Sequence, residues 1–365
     1  MKPEQLFQSD RINHQDTRRK MPRIEAKKIC LIRTSALGDT VHALGLVNGL
    51  RKGYPDAHLT WVLQTLPYDM VKHQKTVDQF IPFNRNGNFR DWLNLFKRLR
   101  QESYDLVILP QVSAKVSLIT LFIKSKIKLG FDFKRSKELQ WLVTNKQIPP
   151  APMRHVQDQF FEFLNYLDIK DYPVEWNFEF TKEEKKWQQS FFDRLKRSVI
   201  GFVIASSSRD KDWDLEKYAK TIDYVDRELD LQPMLIGGPS ELEKNNAEKI
   251  CSLCRKAPVI ALEKPIRTTM LQIAGSRIIV SPDTGPLHIA VSLNVPTICL
   301  YGYSNPRRCG PYRKYHDLLI DKYNDPGEKN MPITRKIKPG RMARISSKEV
   351  IEKIELGLKT YPAKI

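Results

Sequence analysis

A carboxylate, a hydroxyl and a glycine stand together in the segment Ser-Pro-Asp-Thr-Gly-Pro-Leu-His, residues 281–288. A buried-strand pattern leads into this segment, and a helical pattern covers residues 284–292. The first N–H groups of a helix lack partners within the helix, and the helix dipole attracts anions. We therefore expect Thr284 and Gly285 to cradle a phosphate. Asp283, taken alone, would more commonly only cap the helix, so the other loops must distinguish the two roles.

A second polar loop, Ser-Ser-Ser-Arg-Asp-Lys-Asp-Trp at residues 206–213, follows a predicted strand at 199–205. It provides three hydroxyl groups and Lys211, whose positive charge would stabilise a departing diphosphate. Asp210 and Asp212 have the spacing that binds a divalent metal in some nucleotide-sugar enzymes. Because a lysine lies between them, we expect a diphosphate contact in this loop and no metal.

The third loop, Thr-Ser-Ala-Leu-Gly-Asp-Thr-Val-His at residues 34–42, joins a strand pattern at 28–33 to a helical pattern at 39–53. Asp39 at this junction suits two roles, a helix cap or a general base that takes a proton from a hydroxyl group. The chain contains neither a G-x-x-x-x-G-K-[ST] loop nor a G-x-G-x-x-G fingerprint. A nucleotide would therefore be held by other loops than the standard glycine-rich ones.

Strand and helix patterns alternate on both sides of a proline-rich break, Gln-Ile-Pro-Pro-Ala-Pro at residues 147–152. This alternation predicts an α/β fold of two doubly wound, Rossmann-like domains whose strand-end loops face each other across a cleft. We divide the chain into a basic flexible tail (1–27), an N-terminal domain (28–175), a C-terminal domain (176–345) and a C-terminal helix (346–365). Ser346 and Glu349 form a capping-box pattern at the start of that helix.

The 365 residues include 61 lysines and arginines against 42 acidic residues, a formal net charge of +19. Residues 1–152 hold 26 basic and 13 acidic side chains, whereas residues 153–365 hold 35 and 29. This asymmetry favours the first half as the docking face for an acidic partner or an anionic membrane, although excess lysine also serves solubility. No apolar run approaches the roughly 18 residues that a membrane-spanning helix needs.

Five cysteines without a secretory signal indicate a reducing cytoplasm and no disulfide framework. Cys251 and Cys254 form a C-x-x-C pair, but no second pair completes a zinc site. Both fall in a predicted helix at residues 240–255. We interpret them as residues that pack partly inward rather than as a redox or metal site.

Together and in this order, the three loops resemble the ADP-heptose:lipopolysaccharide heptosyltransferases, glycosyltransferase family 9, over residues 28–311. The resemblance implies a GT-B fold and an inverting transfer that needs neither a metal nor another cofactor. It implies ADP-heptose bound mainly by the C-terminal domain, and a Kdo-lipid A or core-oligosaccharide acceptor bound by the N-terminal domain. With the cysteine usage and the positive charge, we expect a cytoplasmic protein that associates peripherally with the anionic cytoplasmic face of the inner membrane.

The resemblance also implies roles for single residues. Asp39 matches the general base, and Glu241 matches the acid that holds the adenosine ribose, with Glu243 as a competing alignment. His42, on the acceptor side, and His288, on the donor side, match histidines of the family pattern, but packing at a helix start explains each equally well. The other donor-binding matches are Ser206, Ser207, Lys211, Asp283, Thr284 and Gly285. From the charge asymmetry we add three acceptor-binding candidates, Lys115, Lys128 and Arg135.

The residues alone agree with a single displacement. Asp39 would take the proton of the attacking hydroxyl, and Lys211 would stabilise the leaving diphosphate. No partner carboxylate for a covalent intermediate is evident. Two alternatives stay open, a GT-B glycosyltransferase with another nucleotide-sugar or acceptor, and a non-catalytic protein that binds polyanions. No nucleic-acid-recognition motif is present, and we expect no specific nucleic acid. The basic segment 305–344 departs from the family pattern and leaves the acceptor open.

Overall fold

The computed structural model describes residues 24–362, apart from residues 171, 173, 205, 207, 263, 329 and 330. Most of the expected basic tail, residues 1–23, thus lies outside the described residues. Residues 24–27 contact the first domain, because Tyr54 donates a hydrogen bond to the Ile24 carbonyl and the Lys27 N–H donates to Asp105.

The first domain is a six-stranded parallel sheet in the order β3-β2-β1-β4-β5-β6. Its inner strands are almost wholly apolar, as expected for strands that helices cover on both faces. The strands are β1 (Lys28–Ile32), β2 (His58–Gln64), β3 (Gln79–Phe83), β4 (Ser103–Ile108), β5 (Lys124–Gly130) and β6 (Lys146–Gln147). The helices are α1 (Leu37–Gly53), α2 (Thr65–Val71), α3 (Phe89–Gln101), α4 (Ala114–Leu121), α5 (Gln140–Val143) and α6 (Val156–Tyr166).

The second domain repeats this topology, with six parallel strands in the order β12-β11-β10-β7-β8-β9. Its strands are β7 (Val199–Val203), β8 (Gln232–Ile236), β9 (Val259–Ala261), β10 (Ile278–Pro282), β11 (Thr297–Tyr301) and β12 (Leu319–Asp321). Its helices are α7 (Lys182–Phe192), α8 (Leu215–Glu228), α9 (Glu241–Leu253), α10 (Ile266–Gly275), α11 (Gly285–Ser292), α12 (Pro306–Cys309) and α13 (Ser347–Thr360). The prediction of two doubly wound sheets is confirmed.

The order of the strands determines where a ligand binds. In each sheet the winding reverses beside the first strand, between β1 and β4 in one domain and between β7 and β10 in the other. Ligands of such sheets bind outside the carboxyl ends of the strands at this reversal. The three loops selected from the sequence follow β1, β7 and β10, and therefore lie at the two reversal points.

The segment between the sheets packs on both of them. Helix α6 lies against α1 of the first domain, and α7 lies against α10 of the second. The predicted capping box is confirmed at Ser346 and Glu349, and α13 packs on α8 and β11. The boundary at residues 175 and 176 stays a prediction. Within the described part of the chain, no helix combines the length and the apolar character needed to cross a membrane.

Candidate functional site

Helices α1 and α11 begin at the two reversal points and meet at their N-terminal ends. A Cβ atom added at Gly38 would lie 2.5 Å from Cδ2 of His288, and one at Gly285 would lie 2.8 Å from Cβ of Leu37. Real Cβ atoms do not approach this closely, so a glycine is required on each helix. The contact brings the Asp39 loop and the residue 283–288 loop to the same interdomain cleft.

Asp39 lies in the first turn of α1 and forms an ion pair with Arg33. The helix begins after Ala36 without a side-chain cap, so Asp39 does not cap it. Arg33 Nη1 donates to the Pro110 carbonyl at 3.3 Å, and its guanidinium lies 5.4 Å from the centre of the Phe160 ring. Burial lowers the pKa of Arg33, whereas Asp39 acts to raise it. Arg33 is thus a fixed partner that orients a partly exposed carboxylate at the cleft.

On the opposite side, Lys211 Nζ lies 2.9 Å from Asp283 Oδ2. Ser304 donates to the same oxygen at 2.5 Å, and His288 Nε2 lies 3.5 Å from the other oxygen. Burial acts to raise the pKa of Asp283, but hydrogen bonding to His288 and the charge of Lys211 outweigh it, so the pKa is lowered. Asp283 is therefore a buried anchor for Lys211 rather than a helix cap.

The N-terminus of α11 has no side-chain cap, which suits it to bind a ligand. Its N-cap residue, Thr284, makes no side-chain cap bond, and its hydroxyl instead contacts the Ser281 hydroxyl at 3.1 Å. Proline at the second helical position supplies no N–H, but the remaining first-turn N–H groups and the helix dipole create a positive potential at the cleft. Lys211 Nζ, paired with the Asp283 carboxylate, lies beside this helix start, 3.3 Å from the Asp283 carbonyl. The arrangement suits a bound diphosphate.

The remaining donor candidates are less closely grouped. Ser206 donates to the Ser208 carbonyl at 2.6 Å, whereas Ser207 lies outside the described residues. Glu241 is exposed and lies 3.0 Å from Lys244 Nζ. Glu243 instead accepts from the Gly238 N–H at 2.6 Å and forms the capping box of α9. Glu243 therefore has a structural task, and Glu241 extends from the turn.

Asp210 and Asp212, the two carboxylates with metal-site spacing, lie in the loop after β7. Burial raises the pKa of Asp212, which neighbours Ser206, and Asp210 lies in a short 3-10 turn. Nowhere in the described residues do three histidine, cysteine or acidic side chains group as metal ligands do. Cys251 and Cys254 both pack against the second domain's core, as predicted.

Three histidines cluster at the contact between α1 and α11, where His42 and His288 are buried. The His42 ring lies 4.8 Å from that of His288 and 5.5 Å from that of His155, between ring centres. His42 Nδ1 lies 3.2 Å from Gln157 Oε1, and burial lowers the pKa of His42 well below its ordinary value. Burial also lowers the pKa of His155, to about 3. No sequence pattern indicated that His155 would join the other two.

Segment 305–344 contributes basic side chains to the Asp39 side of the cleft. Arg308 belongs to α12, which begins at the loop that also holds the Asp283 partner Ser304. Burial and the charge of Arg308 lower the pKa of Arg335, whereas Asp39 acts to raise it. Arg308 Nε is buried without a hydrogen-bond partner among the described residues. In the sequence, only the number of basic residues in this segment indicated that it supplies positive charge near the site.

The three basic acceptor candidates differ in their surroundings. Lys115 is exposed and lines a cleft of about 340 Å³ together with Thr34 and Ser35 of the Asp39 loop. Lys128 donates to the Thr120 carbonyl at 2.9 Å, and burial lowers its pKa. Arg135 is mostly buried and pairs with Asp132 and, at 2.7 Å, with Glu162. Lys115 therefore lies next to the Asp39 loop, and Arg135 lies close enough to Arg335 for its charge to lower the pKa of Arg335.

Comparison with known proteins gives a consistent result. A family model described as glycosyltransferase family 9 (heptosyltransferase) matches residues 92–334. The lipopolysaccharide core heptosyltransferase OpsX of Haemophilus influenzae is 30% identical over 304 residues, which are 83% of this chain and 86% of that protein.

Solved structures share the fold. A family 9 glycosyl transferase from Veillonella parvula matches with a TM-score of 0.77 at 23% identity, covering 91% of this chain and 97% of that one. The E. coli heptosyltransferase WaaC with ADP matches with a TM-score of 0.67 at 19% identity, covering 91% and 98%. The two-domain GT-B architecture expected from the sequence is therefore confirmed.

Proposed function

The chain belongs to glycosyltransferase family 9, the heptosyltransferase family, and we propose that it transfers heptose from ADP-heptose to the Kdo-containing inner core of lipopolysaccharide. One observation carries the proposal. The Asp39 carboxylate and the uncapped start of α11, with Lys211 nearby, belong to opposite domains and meet at one cleft. A base and a diphosphate site so arranged suit glycosyl transfer from a nucleotide-sugar.

On the donor side, the diphosphate of ADP-heptose lies at the start of α11. Thr284, Gly285 and Ser206 surround it, and Lys211 carries the charge that stabilises ADP as it leaves. Asp283 and His288 hold Lys211 and the loop in place. Glu241 binds the ribose hydroxyls, because the competing Glu243 is occupied as a helix cap.

On the acceptor side, Asp39 takes the proton from a sugar hydroxyl as that oxygen attacks the anomeric carbon. The bond to ADP breaks in the same step, and the configuration at that carbon inverts. Arg33 keeps the carboxylate directed to the cleft. No step needs a metal, since Lys211 and the helix dipole supply the positive charge.

The acceptor is acidic and linked to lipid A. Lys115, Arg308 and Arg335 supply positive charge near Asp39, whereas the bonds of Lys128 and Arg135 within the first domain favour a structural role. Within the histidine cluster, His42 belongs to the first domain, which binds the acceptor. Because the acceptor is anchored in a membrane, the protein works as a peripheral protein on the cytoplasmic face of the inner membrane.

A donor screen tests this function. Purified protein is incubated with Kdo-lipid A and with ADP-heptose, ADP-glucose or a UDP-sugar, and the product is weighed by mass spectrometry. We expect the acceptor to gain one heptose, with ADP-heptose giving the highest kcat/KM, and we expect activity to survive excess EDTA. Preference for another donor would contradict the heptose assignment, and binding of the acceptor without transfer from any donor would favour a polyanion-binding protein.

A further inference from the structure

An exposed apolar surface lies on the first domain, formed by α4, α5 and the loop before α5. Its side chains are 45% to 70% exposed, although each is a large hydrophobic residue. Soluble proteins rarely leave such residues grouped at the surface unless they contact a partner or a membrane. We call this surface the apolar patch, and its members are Leu118, Leu121, Phe133, Leu139, Trp141 and Leu142.

Hydrogen bonds and a contact between two aromatic rings connect the segments that form the patch. Ser117 donates to the Glu138 carbonyl at 3.0 Å, and the Ala114 N–H donates to the Glu138 carboxylate at 2.9 Å. The Phe133 and Trp141 rings lie 6.2 Å apart between centres. Both helices carry apolar residues on two faces, because Val116 and Ile119 of α4 and Val143 of α5 are buried in the core while the apolar patch residues remain outside.

The surroundings of the patch are strongly basic. Residues 113–147 contain eight lysines and arginines and two acidic residues, Asp132 and Glu138. Both acids are engaged, Asp132 with Arg135 and Glu138 with the start of α4. Lys115, Lys134 and Lys137 are exposed, and the described residues provide no carboxylate partner for them. Apolar side chains surrounded by unpaired lysines are typical of surfaces that bind anionic bilayers.

We propose that the apolar patch inserts into the headgroup region of an anionic phospholipid bilayer while the surrounding lysines contact lipid phosphates. A second copy of this chain fits the patch less well, because two such surfaces would bring like charges together. The inference rests on the proposed function, which places the acceptor sugar on a lipid anchor. It adds the surface that docks on the membrane.

The position of the patch agrees with that function. Lys115 and Glu138 lie at its edge and also line the cleft that contains Thr34 and Ser35 of the Asp39 loop. Gln111 in the same cleft accepts from the Thr34 N–H at 2.7 Å. A bilayer in contact with the patch therefore places the sugar of an embedded acceptor next to the Asp39 loop.

Sedimentation with vesicles tests the surface independently of any transfer activity. The full-length protein is mixed with vesicles of phosphatidylglycerol and phosphatidylcholine in equal parts, or of phosphatidylcholine alone. We expect binding to the anionic vesicles that weakens with salt. Phe133→Ser combined with Leu142→Ser, and Lys134→Glu combined with Lys137→Glu, should each weaken that binding by about 10-fold or more. The matched controls Ile260→Thr and Lys220→Glu alter exposed residues of the second domain and should bind like the wild type.

A second comparison separates this inference from the proposed function. The Phe133→Ser and Leu142→Ser variant should transfer heptose normally to a soluble, deacylated acceptor but lose about 10-fold of its rate on an acceptor embedded in vesicles. Leu118→Ser with Leu121→Ser repeats the test if the first variant unfolds. Wild-type protein that stays in the supernatant, variants that bind like wild type, or a wild-type dimer that the substitutions dissociate would each overturn the proposal. Lack of transfer to both acceptors with intact vesicle binding would contradict only the proposed function.

Discussion

Asp39 and Arg33 form an ion pair across the loop that leaves the first strand of the first sheet. Arg33 is buried and held by the Pro110 carbonyl and the Phe160 ring, whereas the Asp39 side chain remains about one-third exposed, at 35%. The pair therefore joins a rigid support to a carboxylate that substrate can reach. An aspartate that caps a helix accepts hydrogen bonds from N–H groups at the start of that helix. Asp39 is not such a cap, because α1 begins after Ala36 and has no side-chain cap bond.

Lys211→Ala should weaken ADP binding by about 10- to 100-fold, because a charge-assisted contact to the diphosphate contributes roughly 1.5 to 3 kcal/mol. Calorimetry with ADP measures the loss. Lys220→Ala, at an exposed position of α8, is the matched control and should bind ADP normally. Unchanged affinity of the Lys211 variant would remove this residue from the donor site.

Gly38→Ala should reduce transfer activity and destabilise the protein by about 1 to 3 kcal/mol, because the new methyl group collides with the His288 ring and separates α1 from α11. Urea unfolding and kcat/KM measure the two effects. Gly327→Ala is the control, since a Cβ there meets nothing within 4 Å. A fully active Gly38 variant would show that the close helix contact is not needed for catalysis.

His155→Gln should make stability less dependent on pH. Burial lowers the pKa of His155 to about 3, so at acidic pH the unfolded chain binds a proton that the folded chain does not. Folded stability therefore decreases as pH falls below the unfolded value of about 6.5, by up to about 1.4 kcal/mol per pH unit. Glutamine can still donate to the Gly310 carbonyl, which His155 Nε2 approaches at 3.0 Å.

The measurement is urea unfolding of both proteins between about pH 7 and about pH 5, the range in which an ordinary histidine titrates. The slope of unfolding free energy against pH should be shallower for the variant. Parallel curves would mean that His155 takes up its proton as readily in the folded protein as in the unfolded one.

The sequence predicted most of the alternating elements because buried parallel strands and amphipathic helices have strong patterns. The expected helix at 284–292 nearly coincides with α11, and the strand at 199–205 contains β7. Elements with mixed surfaces were missed. Strand β5 contains three lysines near the sheet edge, and α7 is charged and without a buried residue, so neither has a long apolar pattern.

The candidate site was predictable only in part. Loops at strand ends are recognisable, and Asp39, Lys211, Asp283 and Gly285 are brought to one cleft as expected. The partners Arg33 and Ser304, and the grouping of His155 with His42, were not predicted, because tertiary packing brings these residues together and leaves no local pattern. The pairing of Lys211 with Asp283, which decides against a capping role, is of this kind.

The turnover of Asp39→Asn tests the central claim most directly. Asparagine keeps the shape of the side chain but cannot take a proton from the acceptor hydroxyl. Measured with ADP-heptose and Kdo-lipid A, the variant should fold and bind ADP like the wild type and lose about 10² to 10⁴ in kcat. A folded variant with near-native kcat would contradict the assignment of Asp39 as the base.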